Sequence, residues 1–163
     1  MRPQEGSVAF LKPPPVPRRP PADARKLTIS SDLAEMSRVR DFVAATLAGL
    51  GLTEKDIFRV DLSLVEICIN IILYAYPREK GEISLTSWRE PRRLFYEVRD
   101  SGIPFDPRTM RKPKLREILR TARKGGFGIF LSRKMMDGFD YRREDGQNVL
   151  TLSKKLPRRL RPQ

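Results

Sequence analysis

The chain has 163 residues, 33 Lys and Arg against 20 Asp and Glu, a formal charge of +13 and 39% apolar residues, which is enough for one globular domain with a real core. It contains no histidine and a single cysteine, Cys68, which excludes a Ser-His-Asp or Cys-His triad, a His-ligated zinc site, histidine autophosphorylation, an intrachain disulfide and a CxxC metal knuckle. No signal-peptide pattern and no uncharged apolar run near the roughly 18 residues of a membrane span are present, so a soluble cytoplasmic protein with no membrane association is expected.

Residues 1–24 read as a basic, Pro-rich tail, with "PPPVPRRPP" (Pro13–Pro21) extended and disordered. "RKLTIS" (25–30) alternates as a short strand. In "SDLAEMSRVRDFVAATLAGLGL", Asp32 and Glu35 stand at capping-box spacing before Leu33, Met36, Val39, Val43, Leu47 and Leu50 at helical intervals, and Gly49 and Gly51 mark the stop. Thr53 and Asp56 open a second helix that ends before Pro77. Ile83 and Leu85 alternate in one strand, and Leu94, Tyr96 and Val98 in the next, with "EPRR" (90–93) at the turn. A basic stretch from Pro107 to Lys124 carries eight Lys and Arg against Glu117 alone. It leads into "KGGFGIFLSRKMMDG" (124–138), a glycine-rich entrance to a third helix. Two closing strands flank Asp145-Gly146, a strong hairpin signal. The order β-α-α-β-β-loop-α-β-β predicts an α+β fold, with helices packed on one face of a mixed, mostly antiparallel sheet. Residues 157–163 form a second basic tail, and most of the excess charge lies toward the two ends, in residues 1–26 and 154–163.

Three places carry chemistry. In "LVEICINIILYAYP" (64–77), Glu66, Asn70 and Tyr74 recur every four residues, a polar seam on an otherwise apolar helix. An unpartnered buried carboxylate costs several kcal/mol, so Glu66 either finds a donor at a helix interface or faces a cavity. Asp100 ends the strand whose buried face is Leu94, Tyr96 and Val98, and Gly102 follows. It is either a plain turn residue or an acceptor at the base of an apolar slot, suited to an exocyclic amine such as that of adenine. Finally, "KGGFG" (124–128) is a flexible hinge, an ordinary helix start or an anion cradle of backbone N–H groups. Together the three can enclose one nucleotide.

Their order resembles the N, G1 and G2 boxes of the Bergerat-fold (GHKL) ATPases shared by gyrase, histidine kinases and MutL. Within that group, "ICINIILYAYP", "DSGIPFDP" and "GGFGIFLSRKMMDGFDYRREDGQNVLTL" are similar to the anti-sigma-factor serine/threonine kinases of the RsbW and SpoIIAB type. The resemblance implies a two-layer α/β sandwich spanning a histidine-kinase-like ATPase domain at 25–156. It implies ATP and Mg²⁺ as cofactors, Glu66 as general base and Asn70 as the magnesium ligand. Asp100 would bind the adenine amino group, with Gly102 shaping the slot. Lys124, Gly125, Gly126, Phe127 and Gly128 would line the triphosphate, and Thr151 would back the adenine through its hydroxyl. Residues 106–124 would be the ATP lid, with Arg108, Arg111, Lys112 and Lys124 as candidates for the γ-phosphate contact. Tyr74 departs from the family, which commonly has His there; its hydroxyl can still donate a hydrogen bond.

The function so implied is ATP-dependent phosphorylation of a serine or threonine on an anti-anti-sigma partner of the STAS type, with binding of a sigma factor or similar regulator. Homodimerisation is common in such proteins. The alternative is a catalytically silent ATP-binding module that sequesters a protein partner. Direct nucleic-acid binding by the tails is not expected, because Phe10 is their only aromatic residue.

Overall fold

The computed structural model describes residues 19–109, 114, 116 and 127–158. Strand β1 (Arg25–Ser30) is followed by a 3-10 turn (Leu33–Glu35) and helix α1 (Met36–Leu47), then helix α2 (Glu54–Tyr74). Strands β2 (Glu82–Glu90) and β3 (Arg93–Asp100) come next, then a 3-10 turn at Pro107–Thr109, helix α3 (Phe127–Met135) and strands β4 (Gly138–Glu144) and β5 (Gln147–Lys155). The five strands form one sheet in the order β1-β2-β3-β5-β4, and every ladder is antiparallel rather than mixed.

The two helix starts use different chemistry. Thr53 has extended backbone and accepts a hydrogen bond from the Asp56 amide at 3.2 Å, with Glu54 and Asp56 in the first turn of α2. This is a side-chain cap with acids at the positive end of the helix. Asp32 likewise accepts from the Ala34 amide at 3.0 Å, but Glu35 does not close a capping box. Its carboxylate pairs with Arg38 at 2.6 Å, and the helix proper begins only at Met36 after a 3-10 turn. Asp32 also pairs with Lys80, which draws it toward the turn after α2.

Packing follows from alternation. Ile29, Ile83, Leu85, Leu94, Tyr96, Val98, Leu150 and Leu152 put their side chains on one sheet face, against Val39, Val43 and Leu47 of α1 and Val60, Leu64, Ile67 and Cys68 of α2. Each such side chain, fully buried, contributes about 1.5–3 kcal/mol relative to exposure. Tyr96 is fully enclosed, its hydroxyl 2.5 Å from Thr46 Oγ1, and burial pushes its phenol up to about 12. On the other face Trp88 stacks on Phe95, with ring centres 5.2 Å apart, and Glu97 is held by Arg99 at 2.6 Å and Arg142 at 3.0 Å. The buried Lys154 joins three elements by pairing with Asp56 of α2 at 3.0 Å, Asp137 at 3.7 Å and the Met135 carbonyl at 3.3 Å. Asp145 and Gly146, with φ of 49° and 75°, form the hairpin between β4 and β5, where an Asp-Gly pair tolerates left-handed backbone.

Candidate active site

A cavity of about 280 Å³ opens between the C-terminal half of α2 and the sheet. Asn70 and Tyr74 of α2, Val98 and Asp100 of β3, and Asn148 and Leu150 of β5 line it, together with Ile103 and Phe105 of the loop after β3 and Ile129 of α3. Its walls are apolar apart from a few side chains at one end, the pattern of small-molecule sites.

Asp100 is 4% exposed and sits at the end of β3 opposite Ile83 and Asn148. Burial raises its pKa above the ordinary carboxylate value, against the pull of the Asn148 amide, the Gly102 N–H and the nearby Arg143 guanidinium. Both amides donate to Oδ1, at 2.9 Å each. The loop beyond is tied to the end of α2, because the Ile103 amide donates to the Ala75 carbonyl at 3.0 Å. Gly102 is required there, since a Cβ at that position would lie 2.5 Å from both Ala75 Cβ and the Ala75 carbonyl oxygen. Tyr76 braces the same loop by accepting from the Ser101 amide at 2.8 Å and donating to the Glu82 carbonyl at 2.7 Å.

The polar seam of α2 divides between two neighbours. Asn70 and Tyr74 face the cavity, the latter 45% exposed at its mouth, whereas the half-buried Glu66 faces Gly128 near the start of α3. A Cβ at Gly128 would overlap Glu66 Oε2 outright and lie 2.9 Å from its Cδ and 3.0 Å from its Cβ. The glycine therefore gives the carboxylate room. Phe127 stacks loosely on Phe130, with ring centres 6.2 Å apart.

Of the expected site residues, Asn70 and Asp100 line the cavity, Gly102 packs against Ala75 of its wall, and Glu66 and Gly128 meet each other one residue from the lining Ile67 and Ile129. Lys124, Gly125 and Gly126 lie outside the described residues, as do Arg111 and Lys112 and most of the expected lid. Arg108 is described, and it is held by Asp106 at 2.9 Å and Asp140 at 3.0 Å, with its guanidinium 5.7 Å from the centre of the Tyr141 ring. Thr151 needs correction. In β5 the residues that share the cavity face are Asn148, Leu150 and Leu152, so Thr151 falls on the opposite face, beside Glu97, with its hydroxyl 3.4 Å from Arg142 Nη1. The residue beside Asp100 is Asn148, which strand parity counted back from Leu150 and Leu152 would have found.

Nucleotide and metal can be tested against these donors. A buried acceptor at the end of an apolar cavity fits an amine-bearing ring. Among the described residues no three acidic, Cys or His side chains converge on a metal site. Asn70, which lines the cavity, offers an amide oxygen of the kind Mg²⁺ takes beside phosphate oxygens. Among the described residues no helix is long and apolar enough to cross a membrane.

The chain is 34% identical over 97 residues to the serine/threonine-protein kinase BtrW of Bordetella bronchiseptica, covering 59% of this chain and 68% of that one. It is 27% identical over 116 residues to the serine-protein kinase RsbW of Bacillus cereus, covering 66% and 72% respectively. The solved RsbU and RsbW domains of Rv1364c from Mycobacterium tuberculosis share the fold at a TM-score of 0.54 and 17% identity, over 81% of this chain and 32% of that longer one. The profile of the histidine kinase-like ATPase domain matches residues 29–154, and the chain belongs to that family.

Proposed function

We propose that this protein is an ATP-dependent serine/threonine protein kinase and anti-sigma factor. It phosphorylates a small anti-anti-sigma partner of the STAS type and otherwise holds a sigma factor or similar regulator. The observation that carries this reading is the placement of a buried acceptor, Asp100, at one end of an apolar cavity whose α2 wall presents Asn70, with Glu66 one turn away beside the α3 start. The kinase names of its relatives support it.

In this mechanism Asp100 takes the amino group of adenine, while Val98, Leu150 and Ile129 enclose the ring. Asn70 would hold Mg²⁺ through its amide oxygen, and the ion would supply neutralisation of phosphate charge. Glu66 accepts the proton of the partner's hydroxyl as that oxygen bonds to the γ-phosphorus and the bond to ADP breaks. Proton removal of this kind supplies about 10²–10⁴-fold, and the rest is positioning and charge neutralisation. N–H groups at the start of α3, where Gly128 lies beside Glu66, would complement negative charge.

The test is transfer of label from γ-labelled ATP to a STAS-domain protein in the presence of Mg²⁺. Labelled partner supports the kinase. Tight ATP binding without any label on the partner would instead make this a nucleotide-responsive module that sequesters its partner.

A further inference from the structure

We infer that Asn148 sets the base specificity of the cavity: its amide, locked in one orientation, occupies one oxygen of Asp100 and keeps that carboxylate an acceptor, so that a purine with an amino group at its 6-position is taken and one with a carbonyl there is refused. This deepens the nucleotide-binding assignment above and rests on it.

An Asn side chain has two N–H donors and one carbonyl acceptor, and which end points where is decided by its partners. Asn148 is 6% exposed and all of its hydrogen-bonding groups are engaged. Nδ2 donates to Asp100 Oδ1 and to the Ile103 carbonyl, each at 2.9 Å. Oδ1 accepts from Tyr141 Oη at 2.7 Å, from Arg143 Nη1 at 2.9 Å and from the Phe105 amide at 3.3 Å. The backbone amide and the guanidinium can only donate, and the Ile103 carbonyl can only accept. Reversing the amide would set its oxygen against the carbonyl and carboxylate oxygens, and its N–H groups against two obligate donors. One orientation is therefore allowed.

Two consequences follow for a ligand. Asn148 has no donor left over for a base. Asp100 Oδ1 is filled by Asn148 and by the Gly102 amide, which leaves Oδ2 for the ligand. At Asp100 the atom left for a ligand is therefore an acceptor, and the neighbouring Asn148 adds no donor for a carbonyl. Adenine presents an amino group where guanine presents a carbonyl oxygen. A site whose buried group would be left facing a like partner rejects that ligand strongly.

The state of Asp100 is part of the same device. Burial favours its neutral form, and the opposing influences are the donors Asn148 and Gly102 and the charge of Arg143. The other titratable groups around it are Tyr74 and Tyr76 at and beyond the end of α2, and Tyr141 on β4. Removing the Asn148 donor shifts Asp100 toward its protonated form, whose O–H can meet a carbonyl. The same amide grips Ile103 and Phe105, so the loop leading to the lid is set by the residue that sets the acceptor.

The experiment is calorimetric titration of the full chain with MgATP and MgGTP, for wild type, N148A and N148T, with thermal unfolding to show that each is folded. Wild type should prefer ATP by at least about a hundredfold. N148A should weaken ATP and narrow the ATP-to-GTP ratio by at least about tenfold, more so at lower pH, because the protonated acid can donate its O–H to the guanine carbonyl. N148T, whose hydroxyl can still donate to Asp100, should keep most of the preference. Should N148A not fold, N148D retains the shape but sets two carboxylates together, which then share a proton, and it should narrow the ratio in the same way. A ratio unchanged in N148A, or in N148D where that is used, with both nucleotides weakened equally, would make Asn148 mere scaffold and overturn the inference. A wild-type chain that binds neither nucleotide would instead remove the nucleotide assignment itself.

Discussion

Gly128→Ala separates folding from chemistry. The added methyl would lie 2.9 Å from Glu66 Cδ and 3.0 Å from Glu66 Cβ, and would overlap Oε2. Ordinary carbon contacts are about 3.5–4.0 Å, so each of those two carbons must recede by roughly 0.5–1 Å. The carboxylate is the far end of a flexible chain and swings away at small cost, whereas Cβ is anchored to α2 and resists. Overpacking of this size costs about 1–3 kcal/mol. Against it stands up to about 1 kcal/mol from replacing Gly by Ala in a helix. The net change in stability should stay within about 2 kcal/mol, destabilising. The chemical cost is larger, because a reacting group misplaced by an ångström loses about 10²-fold. Measured side by side, γ-phosphate transfer should fall about a hundredfold while ATP affinity and the unfolding midpoint move little. Transfer at the wild-type rate in a folded G128A would refute the idea that this glycine exists to make room for the base. Parallel loss of ATP binding and transfer would show that it serves the phosphates instead.

Glu66→Gln should abolish transfer while leaving ATP affinity within about threefold, as read by label transfer and calorimetry, since only proton acceptance is lost. Asp100→Asn should act the other way, weakening ATP binding by about tenfold or more before any effect on the chemical step, because it exchanges half of an acceptor for a donor. Gly102→Ala meets a carbonyl and a methyl 2.5 Å away that cannot swing aside, so it should lower stability by about 1–3 kcal/mol in a denaturant titration. Asp56 is held below its usual carboxylate range chiefly by the Lys154 ammonium. A folded-state pKa lowered in this way contributes stability above the unfolded value that is lost as the pH falls through the folded one. The unfolding temperature of wild type should therefore drop more steeply below about pH 4 than that of Asp56→Asn.

Much of the fold is legible locally. The alternation in β2, β3 and β5, the Thr53 cap and the Asp145-Gly146 turn each state their own geometry, and they match the helices, strands and hairpin found. Asp100 is equally readable, because it extends a strand whose parity is set by Leu94, Tyr96 and Val98. Thr151 is the exception: the family resemblance puts its hydroxyl behind the adenine, whereas strand parity turns Asn148 and Leu150 toward the cavity. Glu35 illustrates a second limit. The capping-box spacing was present, but Arg38 competes for the carboxylate and wins at 2.6 Å. The hold of Asp140 on Arg108 had no local signal at all, since Asp140 comes from a strand 32 residues further along.

Sheet order has a consequence for synthesis. Although β5 is the last strand of the domain, it lies inside the sheet, between β3 and β4. It also supplies Asn148 and Leu150 to the cavity and Lys154 to the first turn of α2. A nascent chain with only the first four strands on hand would thus have an unfilled slot and no complete nucleotide pocket, and its non-local pairings would be postponed. On the ribosome, ATP capture should begin only once β5 has emerged, which makes ligand binding a report that the whole domain has closed.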